Sequence, residues 1–211
     1  MIYVIVGIVG LLVLWAVVSY LAVRTLEEPR YTVLEKKASY EIRQYEPYIV
    51  AQTVMSVADY NADLRQGFRL VADYIFGNNT TQAKISMTMP VIEARSDQGQ
   101  SIAMTVPVLE SDSNVGTRTI SFVLPSKYTL ETLPTPNNDK VQLRVVSGRT
   151  VAAARFTWYA TPSRVASYKA SLLKALEADG QIIMSEPQAA FYNPPLSMPL
   201  LLRNEILVEV Q

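Results

Sequence analysis

The chain of 211 residues contains no cysteine and no histidine. Without cysteine there is no disulfide, no thiolate metal site and no thiol nucleophile, and nothing about redox compartment follows. Without histidine no imidazole can serve as general base, zinc ligand or haem ligand. A charge excess of either sign is also lacking, since nineteen basic and nineteen acidic residues cancel. No basic field therefore exists to gather nucleic acid. A Gly-rich phosphate loop is missing as well, because Gly77-Asn78-Asn79 reads as a helix stop. Carboxylate pairs such as Glu27/Glu28 and Glu110/Asp112 fall in linker or turn sequence and read as solvated surface. Together these absences point to a binding protein and away from an enzyme.

Charge is missing altogether from residues 1–23, where only Gly7, Gly10 and Ser19 interrupt apolar side chains. Residues 2–23 would span about 33 Å as a helix, enough to cross a hydrocarbon core of about 30 Å. A cleavable signal would carry a basic n-region, a shorter apolar stretch and a small-residue cleavage site. None fits here, so the run reads as a retained single-pass anchor. Arg24, Arg30, Lys36 and Lys37 follow it, which by the positive-inside rule favours a cytoplasmic C-terminal domain. The expected organisation is an anchor over 1–23, a linker over 24–30 carrying Glu27-Glu28-Pro29, and one domain over 31–211.

Within that domain, Tyr-, Val- and Ile-rich stretches over 31–37, 40–45 and 48–57 predict strands, with Tyr40, Ile42 and Gln44 on one face. Asp59 then reads as an N-cap, and Tyr60, Leu64, Phe68, Val71 and Ile75 recur at helical spacing up to a stop at Gly77. Gly67 inside that helix calls for a close neighbour, either a strand or a ligand. Residues 84–93 match residues 101–110 at six of ten positions, and turn chemistry at 96–99 predicts an antiparallel hairpin. Its faces would crowd Met87, Met89 and Met104 together as core packing. The second half replays the first at an offset of 101, with Leu64, Val71 and Ile75 meeting Val165, Leu172 and Leu176. Strands are expected at 141–146, 151–158, 189–193 and 205–210, with a helix started by Thr161 and Pro162 and ended at Gly180. The two units would be joined through residues 119–133. Two such units make an α+β domain with a curved antiparallel sheet.

Several blocks carry a family resemblance: residues 40–47 (Tyr-Glu-Ile-Arg-Gln-Tyr-Glu-Pro), Gly67-Phe68, residues 74–77, residues 84–91, residues 128–134, residues 192–195 and Arg203-Asn204-Glu205. In this order they resemble the SOUL haem-binding protein family. The resemblance implies a pseudo-twofold, distorted antiparallel β-barrel flanked by two helices, as in the effector-binding domains related to the gyrase inhibitors. It also implies a non-covalently held haem or other tetrapyrrole in a shallow apolar cleft. Leu64, Phe68, Val71 and the 192–201 loop, including Met198, would line this cleft, with Arg65 meeting the propionates. Where one branch of the family places a histidine on the iron, this chain has Gln44. Where another branch places propionate-binding lysines, it has Asp73 and the uncharged Ser197-Met198. The competing readings are a module for another apolar or cationic small molecule, which Asp73 favours, and a membrane-associated interaction protein.

Overall fold

A computed structural model describes residues 2–24, 26–56, 60–96, 116–194 and 196–211. The elements run α1 (Ile2–Arg24), β1 (Tyr31–Lys36), β2 (Glu41–Tyr45), β3 (Tyr48–Ser56), α2 (Tyr60–Ile75), β4 (Val91–Ser96), β5 (Thr117–Val123) and β6 (Gln142–Val146). They continue with β7 (Arg149–Phe156), α3 (Pro162–Ala178), β8 (Gln188–Phe191), a 3-10 turn (Pro199–Leu201) and β9 (Asn204–Glu209).

The nine strands among the described residues form one antiparallel sheet, ordered β1-β2-β7-β9-β8-β4-β5-β3-β6. Leaving out β1, this order is a palindrome about the β8–β4 junction. Exchanging β2 with β6, β3 with β7, β4 with β8 and β5 with β9 returns the same sheet. The helices obey the same exchange: α2 packs on β3 and β5, and α3 on β7 and β9. The internal duplication read from the sequence is therefore a property of the topology, and the sheet curls into a half-barrel.

Strand alternation sorts the core onto two faces. On the helix face, Val71, Tyr74 and Ile75 of α2 meet Ala51, Ile120 and Phe122. Val165, Leu172 and Leu176 of α3 meet Ala152, Ala154 and Ile206. The opposite face buries Tyr45, Val50, Ile92, Val151, Tyr192 and Leu207, with Val23 and Leu26 packed against them. The start of α3 is capped as its sequence suggests: Thr161 Oγ1 accepts from Arg164 N at 3.4 Å and Pro162 follows. At the end of α2, Gly77 adopts φ +121, which lets the chain reverse.

Three expectations need correcting. Residues 84–90 form no strand, and β4 begins only at Val91. Their amides go elsewhere: Ile85 N donates to Ile75 O and Met89 N to Glu27 O, each at 2.9 Å. Met87 and Met89 consequently pack on opposite faces of the sheet and do not share one. The partner stretch 101–110, with Met104, lies outside the described residues, as does Asp59. Finally, the stretch expected to join the two units contains most of β5, a central strand paired to both β3 and β4. Its alternating Thr and Ser resemble linker chemistry, but threonine is a good strand former and Ile120 and Phe122 are buried.

Within the expected linker, Leu26 N donates to Val23 O and Arg30 O accepts from Glu46 N. Ser126 N donates to Glu27 Oε1 at 2.8 Å, and Arg203 Nη1 reaches both Glu28 carboxylate oxygens at 2.9 Å. Among the described residues, helix α1 meets the core only near its end, at Val23, and Ser19 is its buried residue.

Candidate ligand-binding site

Helix α2 divides its residues by face. Its inner side is a packing surface: a Cβ on Gly67 would stand 2.7 Å from Ile120 Cγ1, with Thr53 Cγ2 at 3.4 Å. The close neighbour of Gly67 is thus β5, assisted by β3, and not a ligand. Val71 lies on this inner side with 0 % exposure. It cannot line an external cleft, which corrects the expectation from its helical spacing. Leu64 is half-buried and also packs toward the core.

The outer side is different. Arg65, Phe68, Arg69, Ala72, Asp73 and Phe76 border a wide-open concavity of about 840 Å³ along this one helix. Phe68 joins the two sides, because its ring lies 4.9 Å from that of Phe122 in the core while it also borders the concavity. Phe76 is 59 % exposed, unusual for phenylalanine at a helix end. Arg65 and Arg69 stand one turn apart, so both guanidinium groups serve the same face. Asp73 closes the polar end, where its Oδ2 accepts from Asn78 Nδ2 at 2.5 Å.

Of the residues anticipated from sequence, the structure brings Arg65 and Phe68 together. Met198 is elsewhere: its backbone N donates to Ser19 Oγ at 2.8 Å, so the C-terminal loop packs on α1. Gln44 sits on β2, at the other end of the sheet from the strands under α2, where its Oε1 accepts from Thr150 Oγ1 at 3.0 Å. Arg69 and Phe76 were missed, although the i, i+4 spacing of Arg65 and Arg69 was readable.

A second concavity, of about 580 Å³, lies between residues 27–30, 46–49 and 123–131. Glu27, Glu28, Glu46 and Glu131 line it against Arg30. Hydrogen bonding to Ser126 holds the Glu27 carboxyl below the usual carboxylate range. An anionic ligand would meet repulsion there, so the groove on α2 is the better site for one.

Two buried acids stabilise the domain without facing either concavity. Glu205 Oε2 accepts from Arg43 Nη1 at 2.7 Å and Tyr192 OH at 2.8 Å, while Oε1 accepts from Arg203 Nε at 3.0 Å and Arg43 Nη2 at 3.2 Å. Burial disfavours its charge, but the Arg43 bonds and both guanidinium charges hold its carboxyl below the usual range. Glu93 is less well served. Its Oε1 accepts from Arg118 Nη1 at 3.1 Å, whereas Oε2 has no hydrogen-bond partner among the described residues and sees Lys169 Nζ at 3.9 Å. Burial pulls the Lys169 amine below its ordinary range, against the attraction of Glu93.

The structure thus presents an internally duplicated half-barrel with a basic, aromatic groove on one of its two sheet-packed helices. The same fold occurs in the EcmrR C-terminal domain, with TM-score 0.57 and 11 % identity over 86 % of this chain and 98 % of that one. In sequence, residues 26–209 match the SOUL heme-binding protein family. The chain belongs to that family, which is one of binding proteins. It is similar to human Heme-binding protein 2, 28 % identical over 84 % of this chain and 83 % of the relative. The mouse Heme-binding protein 2 is 27 % identical over 85 % and 82 %.

Proposed function

We propose that this chain is a membrane-anchored protein that holds haem or a related tetrapyrrole, non-covalently, on the outer face of α2. The observation that carries this reading is the pairing of Arg65 and Arg69 beside Phe68, Ala72 and Phe76 on one open concavity, in a chain of a haem-binding family. The residues suit the group. A flat macrocycle covers the two phenylalanines, gaining about 25 cal/mol for each Å² of apolar surface removed from water. Its propionates meet the two guanidinium groups, whose fork geometry matches a carboxylate. With no histidine or cysteine in the chain, neither imidazole nor thiolate holds the iron, and affinity comes from surface exclusion and charge. Asp73 is engaged by Asn78 and sits beyond the arginine pair. In the same reading α1 crosses the bilayer; its 23 residues are long and apolar enough. Arg24 and Arg30 at its end favour the cytoplasmic side for the domain.

The test is an absorption titration of the full chain in mild detergent with haemin and with metal-free protoporphyrin. A saturable Soret change, similar affinity for the two macrocycles, and marked weakening in Arg65→Glu/Arg69→Glu are expected. A spectrum matching haemin in detergent alone would remove the proposal.

A further inference from the structure

An exposed apolar surface formed by the C-terminal loop lies outside both the groove and the anchor. Leu196 is 91 % exposed, and Leu200, Leu201, Trp158 and Tyr159 are exposed beside it. No charge occurs between Asn193 and Arg203. The loop is fastened to the anchor helix: Trp15 Nε1 donates to Leu196 O at 2.9 Å, and Met198 N to Ser19 Oγ at 2.8 Å. Trp158 N in turn donates to Pro199 O at 3.0 Å. Ser19 and Trp15 precede Arg24 by five and nine residues, which places them about 8 Å and about 14 Å back along the helix axis. A loop bonded at those levels lies on the anchor's side of Arg24. Its charged exit is consistent with this, since Arg203 is held by Glu28 just beyond the helix end.

We infer that this C-terminal loop is a second membrane-contacting element, a wedge whose leucines enter the acyl-chain region beside α1 with Trp158 and Tyr159 at the headgroup level. This rests on the reading of α1 as a membrane anchor. Two further observations favour lipid over water as the loop's surroundings. Leu196 adopts φ +69, a conformation ordinarily left to glycine or asparagine, yet it carries a large apolar side chain into the open. Part of the loop backbone is also satisfied among the described residues, the amides of Leu196 and Leu200 excepted. Ser197 N donates to Pro194 O, Leu201 N to Met198 O and Leu202 N to Pro199 O, while Pro194 and Pro199 have no N–H to satisfy. Unpaired amides are what normally keep irregular chain out of hydrocarbon. Trp and Tyr at the loop's base are the side chains that favour a membrane–water boundary.

The absence of cysteine makes the test direct. The full chain in phosphatidylcholine vesicles carries one environment-sensitive fluorophore, through Leu196→Cys, Leu200→Cys, Val9→Cys in mid-anchor or Lys174→Cys on the exposed side of α3. Nitroxide-labelled acyl chains are expected to quench the probes at 196, 200 and 9 several-fold more than the probe at 174. Quenching at 9 but not at 196 or 200 overturns the wedge and leaves the anchor standing. No quenching at any position overturns both. Probes at 196 and 200 shielded from aqueous iodide yet unquenched by lipid would mean a protein covers the loop, which also overturns it. Leu196→Asn accommodates the positive φ, so it should preserve the fold while reducing lipid quenching at 200. Unchanged quenching there would count against the inference.

Discussion

The two halves of the domain share an apolar stripe on their inner faces, broken at Gly67 and Tyr168, and differ more widely on their outer ones. At the offset of 101, Leu64, Val71 and Ile75 of α2 correspond to Val165, Leu172 and Leu176 of α3, and on both helices these residues pack toward the sheet. On the outer side, Arg65 and Arg69 correspond to Ala166 and Ala170, Asp73 to Lys174 and Phe76 to Glu177. Gly67 corresponds to Tyr168, so α2 approaches its strands closely, whereas α3 places a ring that stacks on Phe156 at 4.4 Å. Packing requires one apolar stripe of roughly fixed volume on each helix, and that requirement holds both copies to the same pattern. No such requirement acts on the outer face. What differs there is the chemistry that a ligand can use.

The buried acids make a second contrast. Glu205 has a bonded partner for both oxygens, whereas Glu93 has one for Oε1 alone. Removing the better-served acid should therefore cost more. Glu205→Gln is expected to lose about 3–5 kcal/mol, because it leaves buried guanidinium groups without their counter-charge. Glu93→Gln should lose less, since an amide oxygen still accepts from Arg118 and Lys169 retains access to solvent. Equal losses by chemical denaturation would break the contrast.

Gly67→Ala comes next. The added methyl meets Ile120 at 2.7 Å, and overpacking of about 1–3 kcal/mol should outweigh the helix-propensity gain of up to about 1 kcal/mol. At the equivalent position on α3, Tyr168→Ala should cost about 0.5–1.5 kcal/mol from the lost ring pair. A stabilised Gly67→Ala would mean that α2 sits farther from the sheet than described.

Ligand binding should be sensitive on one helix only. Arg65→Ala and Arg69→Ala should each weaken haem binding by about 0.2–1 kcal/mol, with the effect shrinking as salt rises, because exposed pairs are screened. Ala166→Arg and Ala170→Arg on α3 should add nothing. A gain there would place a second site on the other half.

The mildest test is pH. The Glu205 carboxyl titrates below its ordinary value of 4.5 in the folded protein. Its contribution is therefore present above pH 4.5 and lost as pH falls from there through the lower folded value. Acid unfolding should be less steep in Glu205→Gln. In the alkaline range, burial pushes the Tyr74 phenol from 10.0 to about 12. The folded state then binds the proton more tightly, so its contribution is full below pH 10 and declines toward pH 12. Tyrosinate absorbance during an alkaline titration checks this.

Periodicity carried most of the fold into view. The spacing of α2 and α3, the Thr161-Pro162 start and the offset of 101 were all legible, because burial on one helix face repeats in the sequence wherever it repeats in space. The blocks that recur in the SOUL family were legible for the same reason of local order. Other features were not. The 84–90 stretch looks like a strand, yet its amides bond to the end of α2 and to Glu27 just after α1, partners far apart in sequence. Part of β5 looks like a connector because its polar alternation is local, while its burial between β3 and β4 is not.

The amino-acid order alone settled several things: an apolar helix of membrane-spanning length, a duplicated α+β domain, and a chain without imidazole or thiol. These follow from composition and short-range spacing. The tertiary structure decided which side of α2 faces outward, that Val71 is core while Arg69 and Phe76 border the groove, and that Met198 belongs with α1. Face and partner depend on where distant strands come to rest, and no local pattern in the chain encodes that placement.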